Sequence, residues 1–190
     1  MTNDHNNRDS SNDSVQVYNF KGRFADYMRV LGRGTDDSFK QIFRDELYRG
    51  YAFCALYGLI KGRRHKYDPA TDNPNGSEQL GFRWTSADGS GPYKYETLRK
   101  VIIIYNKDGR DLSERMDDAL RYDYPTNGFD DPVLIEKSKY GENSLLIEQY
   151  VLGGLELIYE KVSEISSKEE MVRFIMDVRA EFNEALGIKE

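Results

Sequence analysis

Apolar residues recur at helical spacing through the middle of the chain, between residues 36 and 66. The recurring positions are Phe39, Ile42, Phe43, Leu47, Tyr51, Cys54, Tyr57 and Ile60. This spacing predicts one long helix. The side chains between Thr35 and Ser38 suit a helix N terminus, which places its start there. From Tyr51 to Ile60 the apolar residues cover nearly every side, which is typical of a helix buried from several directions.

Small residues follow one another every four positions in the second half of this predicted helix, at Gly50, Cys54, Gly58 and Gly62. Residues with this spacing share one helix face. The first three therefore predict a shallow groove, for another helix of the chain or for a second subunit. Gly62 is interpreted as the helix end. The alternative, that Gly58 already marks fraying, stays open because a glycine weakens a helix by about 1 kcal/mol.

The last third of the chain predicts two helices joined by a short polar turn. The first begins at Glu142 or Asn143 and ends near Ile165. The second follows a capping box from Ser167 to Glu170 and ends at Gly187. Its apolar positions are Met171, Phe174, Ile175, Val178, Phe182 and Leu186. We expect an antiparallel hairpin packed on the central helix.

The remaining segments are shorter. Residues 15–20 predict an extended segment and residues 24–31 a short helix. Residues 67–92, rich in proline and glycine, predict a long loop in which residues 80–84 form a short strand or an extended anchor. Residues 98–105 fit either a strand or a helix, and the helical flank before them favours the helix.

Together these elements predict a mainly α fold, built around the central buried helix and the C-terminal helix hairpin, with one or two short strands. The polar residues 1–14 predict a disordered tail, which leaves residues 15–190 as a single helical domain. The chain has one cysteine and no apolar run of about 18 residues. We therefore expect a soluble, cytoplasmic protein that does not bind membranes.

A basic cluster follows the central helix and consists of Lys61, Arg63, Arg64, His65 and Lys66. Cations are favoured at a helix C terminus, which accounts for one or two of them. The whole cluster is more typical of a surface that contacts phosphates, so nucleic acid is a possible partner. The formal net charge of −6 argues against a general nucleic-acid coat protein, since such proteins are usually basic overall.

An acidic segment offers an alternative site in a predicted helix from residue 111 to about residue 122. Its carboxylates, at Asp111, Glu114, Asp117 and Asp118, are typical of a solvated helix face. They are also the ligand type of a magnesium site, as in a metal-dependent phosphoester hydrolase. Two histidines, His5 and His65, and one cysteine cannot supply a zinc site. No catalytic residue and no cofactor is predicted.

The run DSFKQIFRDELYRGYAF, residues 37–53, followed by the basic cluster, is similar to small accessory proteins of bacterial DNA-modification and phage-defence operons. The similarity is to those that accompany DNA phosphorothioation systems, and it covers about a quarter of the chain. It implies an auxiliary, non-enzymatic role beside a modification or restriction complex, with no catalytic residues to transfer. We therefore expect an interaction protein that docks a protein partner and contacts nucleic acid through the basic cluster. A self-associating structural module, joined through the groove of small residues, is a further alternative.

Overall fold

The computed structural model describes residues 17–32, 38–44, 46–76, 79–83, 91–121 and 133–188. The predicted tail, residues 1–14, lies outside them. The elements, in chain order, are β1 Val17–Lys21, α1 Arg23–Gly32, a 3₁₀ turn Ser38–Lys40, α2 Leu47–Lys61, α3 Pro69–Asp72, β2 Gln79–Arg83, α4 Gly91–Tyr105, α5 Leu112–Arg121, α6 Val133–Glu164 and α7 Lys168–Leu186. The mainly helical fold class is confirmed. No described helix is long and apolar enough to cross a membrane.

The central helix α2 begins at Leu47, so the predicted start between Thr35 and Ser38 was wrong. Residues 38–40 instead form the 3₁₀ turn, and Arg44 has a φ of 37°. A non-glycine residue in this left-handed region interrupts a right-handed helix. The predicted end is confirmed, since Gly62 is the left-handed C-cap residue.

The turn before α2 places the side chain of Phe43 in the core. The Phe43 amide donates to the Leu31 carbonyl over 2.9 Å. A Cβ atom at Gly50 would lie 2.8 Å from the Phe43 ring and 3.2 Å from the Met28 sulfur. The apolar spacing of residues 39–43 therefore reflects burial of a turn and not continuation of the helix.

The central helix α2 and the long helix α6 cross at their glycines. A Cβ atom at Gly154 would lie 2.8 Å from the Gly58 nitrogen and 2.9 Å from the Cys54 carbonyl carbon. One at Gly58 would lie 3.0 Å from the Tyr150 carbonyl carbon. Only residues without a side chain fit this backbone-to-backbone approach, which buries Leu155 and Ile158 beside it.

The C-terminal hairpin of α6 and α7 is confirmed, but α6 begins at Val133, well before the predicted start at residue 142 or 143. A single interior glycine, Gly141, does not end the helix, because it costs only about 1 kcal/mol. The capping box is confirmed: Ser167 Oγ accepts a hydrogen bond from the Glu170 amide over 3.2 Å. Gly187 ends α7 in the left-handed conformation.

The segment predicted as one loop, residues 67–92, contains α3, β2 and the start of α4, so this prediction was wrong. Strand β2 pairs antiparallel with β1, from Val17 opposite Arg83 to Lys21 opposite Gln79. The predicted strand is confirmed as far as residue 83, and Trp84 lies outside the described residues. Proline and glycine here punctuate short elements.

Helix α4 confirms the helical interpretation of residues 98–105 and buries Ile102 and Ile103. The following helix, α5, also forms as predicted and packs on α4. The guanidinium of Arg99, fully buried, donates to the Ala119 carbonyl over 3.3 Å. The residues of the outer face of α5, Leu112, Met116 and Leu120, are exposed.

Candidate functional site

The predicted basic cluster spans the last residue of α2 and the segment that follows it, and carboxylates of the same chain engage three of its five members. Lys61 Nζ lies 2.6 Å from Glu181 of α7. Arg63 Nη2 lies 3.1 Å from Glu156 of α6. These contacts tie the cluster to the C-terminal hairpin. Glu181 also hydrogen-bonds Tyr57, and burial together with this bond raises the pKa of Tyr57 to about 12.

The other members of the basic cluster differ in their surroundings. The His65 ring is half-buried, and its Nε2 lies 2.8 Å from a carboxylate oxygen of Asp72. Arg64 is exposed and its guanidinium lies 5.7 Å from the Tyr150 ring centroid. Lys66 is exposed as well. The predicted surface of four cations and a histidine therefore retains two cations, Arg64 and Lys66, that have no carboxylate partner among the described residues.

Five charged or titratable side chains from four parts of the chain meet in what we call the charged cluster: Arg23, Arg63, His65, Asp72 and Glu156. Asp72 lies at its centre with a fully buried side chain. One carboxylate oxygen of Asp72 accepts from Arg23 Nε over 2.8 Å. The other is 2.8 Å from His65 Nε2 and accepts from the Asp68 amide over 2.8 Å.

Glu156 is the second carboxylate of the charged cluster, and its side chain is 9% exposed. Its Oε1 lies 3.1 Å from Arg23 Nη2, and its Oε2 lies 3.1 Å from Arg63 Nη2. His65 Nδ1 is 3.9 Å from the same Oε2. Two carboxylates thus face two guanidinium groups, so the charged cluster is balanced when the imidazole is neutral. Carboxylates can stay charged when buried if they are paired with cations in this way.

Local sequence features bring the members of the charged cluster together. Gly22 has a φ of 54°, and a Cβ there would lie 2.7 Å from the Asp72 carbonyl carbon. Helix α1 can therefore begin against α3. Asp68 caps α3 by accepting from the Ala70 amide over 3.0 Å, with Pro69 at the first helical position. These features fix Asp72 directly in front of the first residue of α1, Arg23.

The arrangement is suited to holding the fold together and less suited to catalysis. Burial favours the neutral form of Asp72, but the Asp68 amide, His65 and the charge of Arg23 outweigh it and lower the pKa of that carboxyl. A histidine oriented by a buried aspartate is a familiar catalytic pair. Here, however, the second ring nitrogen of His65 points toward Glu156, within the same cluster. We therefore interpret the charged cluster as a set of ion pairs and hydrogen bonds that holds α1, α3 and α6 together.

The predicted groove of small residues is filled by the chain itself. Cys54 and Gly58 lie under α6, while Gly50 lies under Phe43. Cys54 is fully buried, and burial raises the pKa of its thiol well above the ordinary range. This helix face therefore has an intramolecular occupant.

The acidic residues proposed as an alternative metal site point to different partners. Asp111 and Glu114 form a capping box, each accepting a hydrogen bond from the amide of the other over 2.8 Å and 3.0 Å. Asp118 is buried and lies 2.6 Å from Arg110. Asp117 is exposed on the outer side of α5 and is engaged within the chain. Within the described residues no three potential metal ligands come together, here or elsewhere.

A feature that sequence analysis missed lies on α7. Its inner face is formed by Met171, Phe174, Val178 and Phe182, as predicted, but Ile175 and Leu186 are exposed. Val172 and Met176 are exposed beside them. We call Val172, Ile175, Met176 and Leu186 the α7 stripe. The spacing of Val172 and Met176 was the available signal, because both positions lie more than about 100° of rotation from the centre of the inner face, while Ile175 lies at its edge.

Comparison of the chain with protein-family models, with curated proteins and with solved structures found no match.

Proposed function

We propose that this protein is a non-enzymatic interaction protein that docks a helix of another protein on the α7 stripe. The observation that carries the proposal is the exposure of three large apolar side chains within two helical turns. Val172 is 56% exposed, Ile175 51% and Met176 64%. Single exposed apolar residues are ordinary on protein surfaces, whereas adjacent ones are typical of interaction sites.

The geometry of the α7 stripe favours a helical partner. Residues at positions i, i+3 and i+4 are the anchors that helices use when they pack into a complementary surface. α7 itself is firmly placed, since Phe182 packs against Phe53 with a ring-centroid distance of 5.6 Å. A preformed helix presents its anchors with little backbone ordering cost on binding, which supports a docking role.

The charged cluster also supports the proposal of a non-enzymatic interaction protein. Its carboxylates are neutralised by cations of the chain, and its histidine is held between them. It therefore holds α6, which α7 follows, in place. A role beside a DNA-modification or defence complex, as the resemblance implies, remains part of this proposal.

Contact with nucleic acid is a second candidate function, carried by Arg64 and Lys66. Both are exposed, and they are two positions apart. Two phosphate contacts give weak, salt-dependent binding. We expect Arg64→Glu/Lys66→Glu to remove retention on duplex DNA at low salt, while the control Lys161→Glu/Lys168→Glu retains it. Equal retention by both variants would exclude the nucleic-acid contact.

The docking function is tested by purification from the native host followed by reconstitution. Ile175→Gln/Met176→Gln should lose the stoichiometric companion, while Leu145→Gln should keep it. Leu145 is a matched control because it is an exposed leucine, 59%, on a different helix. With the purified companion, calorimetry should show binding at least about tenfold weaker for the α7 variant, since buried anchors contribute about 1 kcal/mol or more each. Equal affinity of the two variants would refute the proposal.

A further inference from the structure

The two ring nitrogens of His65 each face a carboxylate of the charged cluster. Nε2 lies 2.8 Å from Asp72 Oδ2, and an ionised carboxylate only accepts hydrogen bonds. The neutral ring therefore carries its proton on Nε2 and donates it to Asp72. Nδ1 is left with a lone pair that faces a second acceptor, Glu156 Oε2, over 3.9 Å. This contact is repulsive in the neutral ring and becomes attractive when Nδ1 takes up a proton.

Uptake of that proton changes the charge balance around the ring. The charged groups that face His65 come from each element packed on it: Asp72 from α3, Glu156 from α6 and Arg23 from α1, with Arg63 from the same segment as the histidine. Two carboxylates balance two guanidinium groups while the imidazole is neutral. Once the imidazole is cationic, three cations share two carboxylates, and one of the cations becomes surplus.

Arg63 is the cation that the charged cluster holds least firmly. Its guanidinium contacts Glu156 at 3.1 Å, whereas that of Arg23 contacts both Asp72 at 2.8 Å and Glu156 at 3.1 Å. The side chain of Arg63 is 53% exposed, compared with 37% for Arg23 and 22% for His65. An ion pair that is open to water contributes less than a buried one, so the pair made by Arg63 breaks at the lowest cost.

The backbone of this segment is fixed, so only the side chain of Arg63 has to move. The Arg63 amide donates to the Gly58 carbonyl over 2.8 Å, and the His65 amide donates to the Gln149 carbonyl over 2.9 Å. A Cβ atom at Gly153 would lie 2.7 Å from the Arg63 carbonyl carbon, so α6 packs directly against the segment. The guanidinium can therefore turn to solvent without a change in the helices.

We infer that His65 is a pH-dependent switch: protonation of Nδ1 makes Glu156 pair with the imidazole in place of Arg63, whose guanidinium turns to solvent. Histidine is the side chain that ordinarily changes charge between about pH 5 and 8. At acidic pH the basic cluster then presents three cations, Arg63, Arg64 and Lys66, in place of two. The resulting gain in phosphate binding rests on the second candidate function, the nucleic-acid contact, whereas the exchange of partners does not.

Nitrogen-15 NMR of the full-length protein tests the exchange of partners. The substitution His5→Gln leaves His65 as the only histidine, because the chain has two. At pH 8 the ring should carry a proton on Nε2 alone, and at about pH 5.5 on both nitrogens. Over the same range the Nε–H order parameter of Arg63 should fall to that of Arg64, because its carboxylate partner is lost. In His65→Gln, which keeps a donor for Asp72 but does not titrate, Arg63 should stay ordered at both pH values.

Duplex DNA is the phosphate probe that tests the consequence for the basic cluster. The logarithm of the binding constant falls with the logarithm of the salt concentration by about 0.9 for each phosphate contact. In the native protein this slope should steepen by about 0.9 between pH 8 and about pH 5.5, because one cation is added. Arg63→Gln should not show this change. The control Arg173→Gln removes an exposed arginine of α7 and should keep it.

The two experiments separate the switch from the nucleic-acid contact. An Arg63 side chain that stays ordered while His65 takes up its second proton would overturn the inference, and so would a ring that takes up no proton down to about pH 5.5. A salt slope that does not change with pH, or that changes equally in Arg63→Gln, would overturn the gain of a phosphate contact. Exchange of partners without DNA binding at either pH would support the switch and exclude the second candidate function.

Discussion

The crossing of α2 and α6 makes a sharp prediction for the substitution Gly154→Ala. The added methyl carbon would lie 2.8 Å from the Gly58 nitrogen and 2.9 Å from the Cys54 carbonyl carbon. Carbon atoms attract best at about 3.5–4.0 Å, so the two backbones must separate by about 0.6 Å or more. Both atoms belong to helix backbones, so no side chain can rotate to make room.

The magnitude follows from two opposing effects. Overpacking a close-packed core costs about 1–3 kcal/mol, and a backbone clash lies at the upper end. Alanine recovers about 1 kcal/mol of helix propensity relative to glycine. We therefore expect Gly154→Ala to lower the free energy of unfolding by about 2 kcal/mol.

Gly141→Ala is the matched control, since it lies in the same helix and its Cβ would meet no atom within 4 Å. It should raise stability by up to about 1 kcal/mol through helix propensity alone. Urea unfolding followed by circular dichroism measures both variants. With a slope of about 2 kcal/mol/M, the Gly154→Ala midpoint should fall by about 1 M. A midpoint equal to or above that of the native chain would refute the close crossing of α2 and α6.

Three further outcomes are expected. Glu156→Gln should lower the free energy of unfolding by about 1–2 kcal/mol, which is less than the loss from breaking a fully buried ion pair because Arg23 and Arg63 are partly exposed. The control Glu160→Gln, at an exposed position, should change it by no more than about 0.5 kcal/mol. Equal urea midpoints for the two variants would contradict this prediction. The folded state lowers the pKa of Asp72, so its stabilisation is present above the unfolded value of about 3.9 and is lost as pH falls through the folded value. Urea midpoints should therefore fall less steeply below about pH 4 in Asp72→Asn than in the native chain, and parallel curves would exclude this role. Cys54 is buried and the pKa of its thiol is raised, so alkylation at pH 8 should require unfolding, and rapid labelling of the native protein would show that the site opens.

Most helices were predictable because their apolar positions repeat at helical spacing. The error in the predicted start of α2 has a specific cause. Phe39, Ile42 and Phe43 have the spacing of a helix, but they belong to a turn whose geometry depends on Arg44 in the left-handed region, and this turn buries Phe43 and half-buries the other two. Arginine gives no local indication of that conformation. Conversely, the predicted start of α6 at residue 142 or 143 was too late, because the packing of the rest of α6 outweighs the small propensity cost of Gly141 inside the helix.

The candidate sites were less predictable than the fold. Arg63 was predicted to be a surface cation, but the carboxylate that pairs with it lies far away in the chain. Arg63 and Glu156 are 93 positions apart, and Arg23 and Asp72 are 49 apart. No local pattern predicts such pairs, because only the tertiary fold brings them together. The apolar residues of the α7 stripe could be recognised in the sequence, but helical spacing alone does not say which of two neighbouring apolar faces is buried.

The same crossing of α2 and α6 has a consequence for synthesis on the ribosome. Cys54 and Gly154, which meet at the crossing, are separated by 100 positions. At about 5–20 residues per second, α2 leaves the exit tunnel some 5–20 seconds before the helix that covers it. During that time the apolar surface of α2 must be covered by a chaperone or by other parts of the nascent chain. The protein should therefore depend on chaperones more during translation than during refolding of the finished chain.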